Sequence, residues 1–200
     1  MNALTLLKQD HGNVEELFRQ FESTSPSDTD ELARIRDKLI EHLSKHAAIE
    51  ELVFYPAVRA KLGDDDAFTV LEGLEEHHIV KLTLSELEKL SPDNERFRPK
   101  LTVLIESVRH HVQEEEDEIF PAARDAFSVE ELNTLGEEME TLKDVAPTRG
   151  HPWLPDEPPL NVLIGVPVAI VDRTVTAAKQ LVGNVGHLVG HSTGNGRKAP

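Results

Sequence analysis

The chain has 200 residues, a net charge of −16 and no cysteine. That length is enough for one compact domain with an appendage. The negative charge argues against nucleic acid as a partner, because proteins that neutralise phosphates carry a basic surface. Without cysteine, disulfides, thiolate metal sites and cysteine nucleophiles are excluded. Any chemistry must therefore depend on His and carboxylate side chains.

The first residues, MNALTLLKQDHGN, lack the basic region and long apolar run of a signal peptide, so the expected location is the cytoplasm. The longest apolar run, at 163–171, is too short to cross a bilayer. We therefore expect no transmembrane span.

Apolar residues in the first 145 positions recur at intervals of three and four, which is the period of an α-helix. Turn-forming segments divide them into four helices, at roughly 2–22, 30–61, 67–90 and 97–127. Ser128 and Glu131 have the spacing of a capping box and predict a short fifth helix at about 129–145. The expected fold class is all-α. Residues 1–127 should form an up-down-up-down four-helix bundle, and residues 128–146 a short additional helix.

From residue 147 to residue 200 the chain becomes rich in proline and glycine and also contains an apolar segment. Its first part is predicted to be an extended arm over the bundle, with Trp153 as its packing anchor. The apolar segment could cover one bundle end, mediate self-association or lie on a membrane surface. His187 and His191 are one helical turn apart but lack a carboxylate partner, so no metal is expected there.

One motif occurs twice: HAAIEELVFYP at 46–56 and HVQEEEDEIFP at 111–121 share the pattern His, three residues, Glu, five residues, Pro. A further His precedes each copy, since His11 lies 35 residues before His46 and His77 lies 34 before His111. The repeated unit is therefore a helix with one His, followed by a helix with His-x3-Glu.

Four residues make about one helical turn, so each His-x3-Glu pair projects from one face of its helix and can bind one metal ion. Packing both units into one bundle would bring six candidate ligands to one interior point: His11, His46, Glu50, His77, His111 and Glu115. Imidazole and carboxylate together suit iron, manganese or zinc. Six ligands for two ions leave positions where oxygen, peroxide, nitric oxide or water could bind. The alternative is a metal-free bundle with a buried His and Glu network.

Several neighbouring residues leave alternatives open. His42 lies one turn before His46 and is a partner of that His, an additional ligand or a solvent-facing residue. His78 and His110 adjoin candidate ligands but lie about 100 degrees around the helix, and the repeat selects His77 and His111 instead. Packing is the favoured role of Tyr55, ahead of a redox or proton-transfer role.

Pro56 and Pro121 close the two copies of the motif. Each removes a backbone hydrogen bond to the carbonyl four residues earlier. We therefore expect each helix to bend just past its His-x3-Glu pair.

The order His, His-x3-Glu, His, His-x3-Glu resembles the six-ligand type of the hemerythrin-like family, also called the HHE cation-binding domain. The resemblance covers about residues 4–127. It implies an up-down four-helix bundle with a non-haem di-iron centre, in which two iron ions are bridged by carboxylates and by an oxo or hydroxo group.

The chain departs from the oxygen-carrying members of that family at two positions. Lys81 and Glu116 stand where those proteins have a His and an Asp. The resemblance therefore favours reaction with hydrogen peroxide, by catalase-like breakdown linked to oxidative stress, over reversible oxygen carriage. The alternative is a module that binds or senses iron, oxygen or nitric oxide without turnover.

Overall fold

A computed structural model of the chain describes residues 1–63 and 67–153. Of the proline- and glycine-rich arm predicted for 147–200, residues 154–200, which include the apolar segment, His187 and His191, lie outside the described residues. The helices are α1 Ala3–Ser23, α2 Thr29–Ile49, α3 Tyr55–Leu62, α4 Ala67–Lys89, α5 Phe97–Glu114, α6 Phe120–Ala126 and α7 Val129–Lys143. The described residues contain no strand, and the predicted all-α helical bundle is confirmed.

The helices begin where side chains satisfy the backbone N–H groups of the first turn. Asn2 accepts from Thr5 N at the start of α1, and Asp28 accepts from Glu31 N at the start of α2. Ser128 and Glu131 form the expected capping box at the start of α7. α3 ends at Gly63, whose φ of 79° suits glycine.

Two π-turns interrupt the long helices. The first, Glu50–Phe54, joins α2 to α3, and the second, Glu115–Ile119, joins α5 to α6. Each turn closes with a bond between residues five apart, from Tyr55 N–H to the Glu50 carbonyl and from Phe120 N–H to the Glu115 carbonyl. The irregularity therefore begins at the glutamate of each His-x3-Glu pair, and the bend that the prolines predict stays a prediction. Each proline lies at the start of the next helix, where a missing N–H costs little.

The core of the bundle consists of two apolar clusters. One holds Phe18, Leu39 and Leu104, and the other holds Leu7, Phe54 and Phe120. Along each long helix a His or Glu lies where one cluster gives way to the other: His11, for example, separates Leu7 from Val14. A buried polar layer thus crosses the bundle between two apolar halves.

Helix α7 packs against α1, α2 and the first π-turn. The contact is close at Gly136, where a Cβ atom would lie 2.0 Å from the Met1 carbonyl oxygen. The chain then passes along α4, where Ala146 and Gly150 are buried. Trp153 is 61% exposed, so the expectation that it anchors this segment is wrong. Within the described part of the chain, no helix is both long and apolar enough to cross a bilayer.

Candidate metal centre

The six candidate ligands all lie in the polar layer and are all buried. They form two overlapping groups, whose ligand atoms lie within 4.8 Å of one another: His11, His46, Glu50 and Glu115 form the first, and Glu50, His77 and His111 the second. The shared residue, Glu50, lies where a carboxylate could bridge two ions.

The Nε2 atom of each imidazole faces the interior of the layer. Glu50 Oε2 lies 3.2 Å from His46 Nε2 and 3.3 Å from His77 Nε2. Glu115 Oε2 lies 3.4 Å from His11 Nε2 and 3.8 Å from His111 Nε2. Each glutamate therefore faces two imidazoles from different helices, including the one that lies one turn before it.

The Nδ1 atom of each imidazole faces outward, towards a second carboxylate. Three of these contacts are hydrogen bonds, and the fourth pair is separated by 3.8 Å. The pairs are His11 with Glu116 at 2.9 Å, His77 with Glu51 at 3.1 Å, His111 with Glu76 at 2.7 Å, and His46 with Asp10 at 3.8 Å. An ionised carboxylate only accepts, so the three hydrogen-bonded Nδ1 atoms donate, and in a neutral ring the lone pair is then on Nε2.

The four outer carboxylates are arranged in the same way relative to the order of the helices. Each is adjacent in sequence to a candidate ligand of its own helix, yet it faces the His of the next long helix. Asp10 adjoins His11 but faces His46 on α2, for example, and Glu116 in the second π-turn returns to α1. Adjacent helical residues point about 100 degrees apart, so one points into the layer and the other towards the neighbouring helix.

Sequence reasoning missed the role of these outer carboxylates, although a signal for them is present. Asp10 and Glu76 each precede a candidate His, while Glu51 and Glu116 each follow a candidate Glu. The acids thus repeat with the ligands. What the sequence does not reveal is that each acid serves a neighbouring helix.

Burial and neighbouring charges act in opposite directions on the two inner glutamates. Burial and the nearby Glu115 carboxylate raise the pKa of Glu50 well above its ordinary range. Burial would also raise the pKa of Glu115, but the imidazoles of His11, His111 and His46 outweigh it and lower that pKa. A cation would allow both carboxylates to be ionised at once.

The pKa values of the buried imidazoles determine whether each ring has a lone pair that could bind a cation. Burial lowers the pKa of His46 to about 4, and burial also lowers that of His77, so both rings are neutral at pH 7. His111 differs: burial would lower its pKa, but its hydrogen bond to Glu76 raises it. Its Nε2 lies 3.2 Å from that of His77, a distance at which two lone pairs need a proton or a cation between them.

The chemistry of these atoms fits a bound cation. Buried polar atoms without a hydrogen-bond partner cluster here: His11 Nε2, His46 Nε2, both Glu50 oxygens and Glu115 Oε2. Buried polar atoms are ordinarily paired, because leaving one unpaired costs about 1–3 kcal/mol. Five such atoms in one layer of imidazole and carboxylate are the donor set of a transition-metal site.

Tyr55 is buried beside the layer and contacts it directly. Its hydroxyl donates to Glu115 Oε1 at 2.9 Å, and its ring stacks on His77 with centroids 5.5 Å apart. Burial, followed by the charges of Glu115 and Glu50, raises the pKa of its hydroxyl well above 10.0. Packing alone therefore does not describe this residue, which also holds one of the inner carboxylates.

The other histidines lie outside the two inner groups. His42 is partly buried, and burial lowers its pKa, while Asp10 and Lys143 act on it electrostatically. His78 is partly buried and His110 is exposed, which agrees with the choice of His77 and His111. His110 belongs to a third, partly exposed group with Glu76 and Glu114.

A cavity of about 20 Å³ adjoins the four inner imidazoles. Apart from those imidazoles, its lining is aliphatic: Val14, Leu43, Ala47, Val80, Val108 and Val112. A space of this size holds about one water-sized molecule. The layer is therefore open to very small, uncharged ligands.

Known proteins resemble this chain over the region that contains the layer. The family profile described as hemerythrin HHE cation binding domain matches residues 2–123. An uncharacterised hemerythrin-like protein of Schizosaccharomyces pombe is 28% identical over 165 residues, which cover 82% of this chain and 80% of that protein. A DNA nickase of Nostoc is 28% identical over 143 residues, which cover 72% of this chain but only 39% of the nickase.

One solved structure shares the fold. It is a hemerythrin HHE cation binding domain-containing protein from Mycobacterium kansasii, with a TM-score of 0.62 and 24% identity. The match covers 72% of this chain and 86% of that one.

Proposed function

Because the chain belongs to the hemerythrin HHE cation binding domain family, we propose that it binds two iron ions and breaks down hydrogen peroxide. His11, His46, Glu50, His77, His111 and Glu115 would hold the two ions, with Glu50 between them. The observation that carries this proposal is the set of unpaired, buried Nε2 and carboxylate atoms in one layer. Iron would supply the electron exchange that peroxide breakdown requires.

The size of the cavity beside the layer is the reason for proposing a small substrate. The cavity beside the four imidazoles has room for a molecule near the size of water. The overall reaction would convert two molecules of hydrogen peroxide into one of oxygen and two of water, so it needs no external electron donor. The chain's own groups hold the ions, exclude larger molecules and place the Tyr55 hydroxyl on Glu115. We also propose that the protein acts in the cytoplasm against oxidative stress.

Two other roles are less well supported. The same cavity would admit oxygen or nitric oxide, so a binding or sensing module without turnover is the second candidate. The name of the Nostoc relative refers to a protein of which this chain matches 39%, and a net charge of −16 opposes binding to DNA. Self-association through residues 147–200 remains a prediction from sequence.

The first experiment compares metal content and peroxide turnover in three proteins loaded anaerobically with ferrous iron. They are the wild type, a His46→Ala, His111→Ala variant and a control in which His78 and His110 become Ala. The control changes two histidines of similar sequence position that lie outside the inner groups. We expect about two irons per chain and one oxygen released per two peroxides in the wild type and the control, and neither in the His46, His111 variant.

Each outcome addresses a different part of the proposal. Two bound irons with unchanged peroxide would exclude the catalase-like reaction and favour the binding module. No bound iron in the wild type would exclude the iron centre itself. Equal loss of iron in both variants would show that the ligands are wrongly assigned.

A further inference from the structure

Three of the four outer carboxylates are themselves paired with a lysine from another part of the fold. Lys8 contacts Glu116, Lys81 contacts Glu51, and Lys143 contacts Asp10. Lys143 differs from the other two because it lies on α7, beyond residues 2–123 that match the family profile. A helix outside the matched region therefore touches the polar layer.

The contacts of Lys143 form a chain of polar atoms that leads into the layer. Its Nζ donates to Asp10 Oδ1. The other oxygen of that carboxylate, Oδ2, lies 3.8 Å from His46 Nδ1. On the far side of the ring, His46 Nε2 lies 3.2 Å from Glu50 Oε2. Two residues, Asp10 and His46, thus lie between Lys143 and Glu50 along this path.

We propose that Lys143 is a positioning residue of the metal centre, acting through Asp10 to direct the Nε2 atom of His46 at a bound cation. This inference rests on the proposed function. Asp10 is buried, and a buried carboxylate needs a charged or hydrogen-bonding partner to remain in place. With Oδ1 held by Lys143, Oδ2 faces His46 Nδ1 at 3.8 Å, and neither of these two atoms has a hydrogen-bond partner among the described residues.

This arrangement gives α7 a role beyond packing against α1 and α2. Outer hydrogen bonds to metal-bound imidazoles fix the ring orientation and tautomer, and their loss typically weakens metal affinity by about 10–100-fold. Lys81 stands in the same relation to His77 through Glu51, with oxygen contacts of 3.0 and 3.1 Å. Two of the four imidazoles, those of His46 and His77, therefore each face a buried carboxylate that forms an ion pair with a lysine.

The test measures Co²⁺ binding to the full chain by competition with a chelator and by visible absorption. We expect Lys143→Met to weaken one of the two Co²⁺ sites by about 10–100-fold and to change the visible spectrum. Lys143→Arg should restore most of the affinity, since it keeps a charged donor. The control is Lys61→Met, which removes the exposed ion pair between Lys61 and Glu131, also a link to α7, without reaching the layer.

A double variant tests the route through Asp10. If Lys143 acts through that carboxylate, Asp10→Asn with Lys143→Met should bind Co²⁺ as weakly as Asp10→Asn alone. Additive losses would overturn the inference, as would equal losses in the Lys61 control. If Lys143→Met does not fold, Lys143→Gln supplies the same comparison, with at least a tenfold loss expected.

The inference and the proposed function fail in different ways. A wild-type chain that binds no Co²⁺ would contradict the metal centre as a whole. A wild-type chain that binds two Co²⁺ ions, with unchanged affinity after Lys143→Met or Lys143→Gln, would contradict only the role of Lys143.

Discussion

At the scale of single residues, Tyr55 connects two copies of the repeated motif. It follows the first copy's Glu50 by five positions, and its hydroxyl donates to Glu115 of the second copy. Because Glu115 is buried, replacing the hydroxyl by hydrogen leaves Oε1 without this donor. We expect Tyr55→Phe to lower the free energy of unfolding of chelator-treated protein by about 1–3 kcal/mol, measured by urea denaturation.

The control for this prediction is the same change in a Glu115→Gln background. There the hydroxyl no longer faces a carboxylate, so the loss should be smaller, and the difference measures the coupling of the two groups. An equal loss in both backgrounds would mean that the hydroxyl contributes only through packing.

The sequence predicts contacts within one helix better than contacts between helices. A spacing of four fixes which residues share a helix face, so His46 with Glu50 could be paired from the sequence. The contact of Tyr55 with Glu115 joins residues 60 positions apart, and no periodicity encodes it. The same holds for Asp10, which adjoins His11 in the sequence but faces His46 in the fold.

At the scale of helices, two glycines give opposite predictions. A Cβ at Gly136 on α7 would lie 2.0 Å from the Met1 carbonyl oxygen, whereas a Cβ at Gly12 on α1 would meet nothing within 4 Å. Gly136→Ala must push α7 from the start of α1 and should destabilise the protein by about 1–3 kcal/mol. Gly12→Ala should stabilise it by about 0.5–1 kcal/mol, because alanine favours the helix.

Thermal or urea unfolding of the two variants checks this pair. Destabilisation by both substitutions would mean that Gly12 has a role other than filling a helix position. An unchanged Gly136→Ala protein would contradict the close packing of α7 on the N-terminus.

The approximate helix boundaries and the capping box of α7 were predictable, and the π-turns were not. Ser128 and Glu131 announced α7 because a capping box is a local pattern. A π-turn depends on which carbonyl a backbone N–H selects, and the prolines indicate only that a break occurs nearby. The segment after α7 illustrates a second limit. Its composition predicted that Trp153 would pack against the bundle, but Trp153 is exposed, and the close contact with α4 is made at Gly150.

At the scale of the whole molecule, the buried polar layer makes the metal-free protein sensitive to acid. His46 has a pKa of about 4 in the folded state and 6.5 ordinarily. Between these values the unfolded chain takes up a proton that the folded chain does not, so the free energy of unfolding falls as the pH falls. The loss from this group is on the order of 3 kcal/mol once the pH is below 4.

Urea unfolding of chelator-treated protein at pH 7 and pH 5 measures this effect. The wild type should lose more stability than a His46→Gln variant over this interval. His77, whose pKa burial also lowers, adds to the loss in both proteins. His111 and Glu50, whose pKa values are raised in the folded state, oppose the loss in both proteins. Equal losses in the wild type and His46→Gln would show that His46 is protonated alike in both states.

The contact between Lys143 and Asp10 joins residues 133 positions apart, nearly the full span of the described fold. A ribosome makes the two ends of this contact many seconds apart, at about 5–20 residues per second. All six candidate ligands, from residue 11 to residue 115, are synthesised before α7 at Val129–Lys143. If Lys143 has the positioning role proposed above, a nascent chain that does not yet contain α7 would hold a cation less tightly than a chain that contains it.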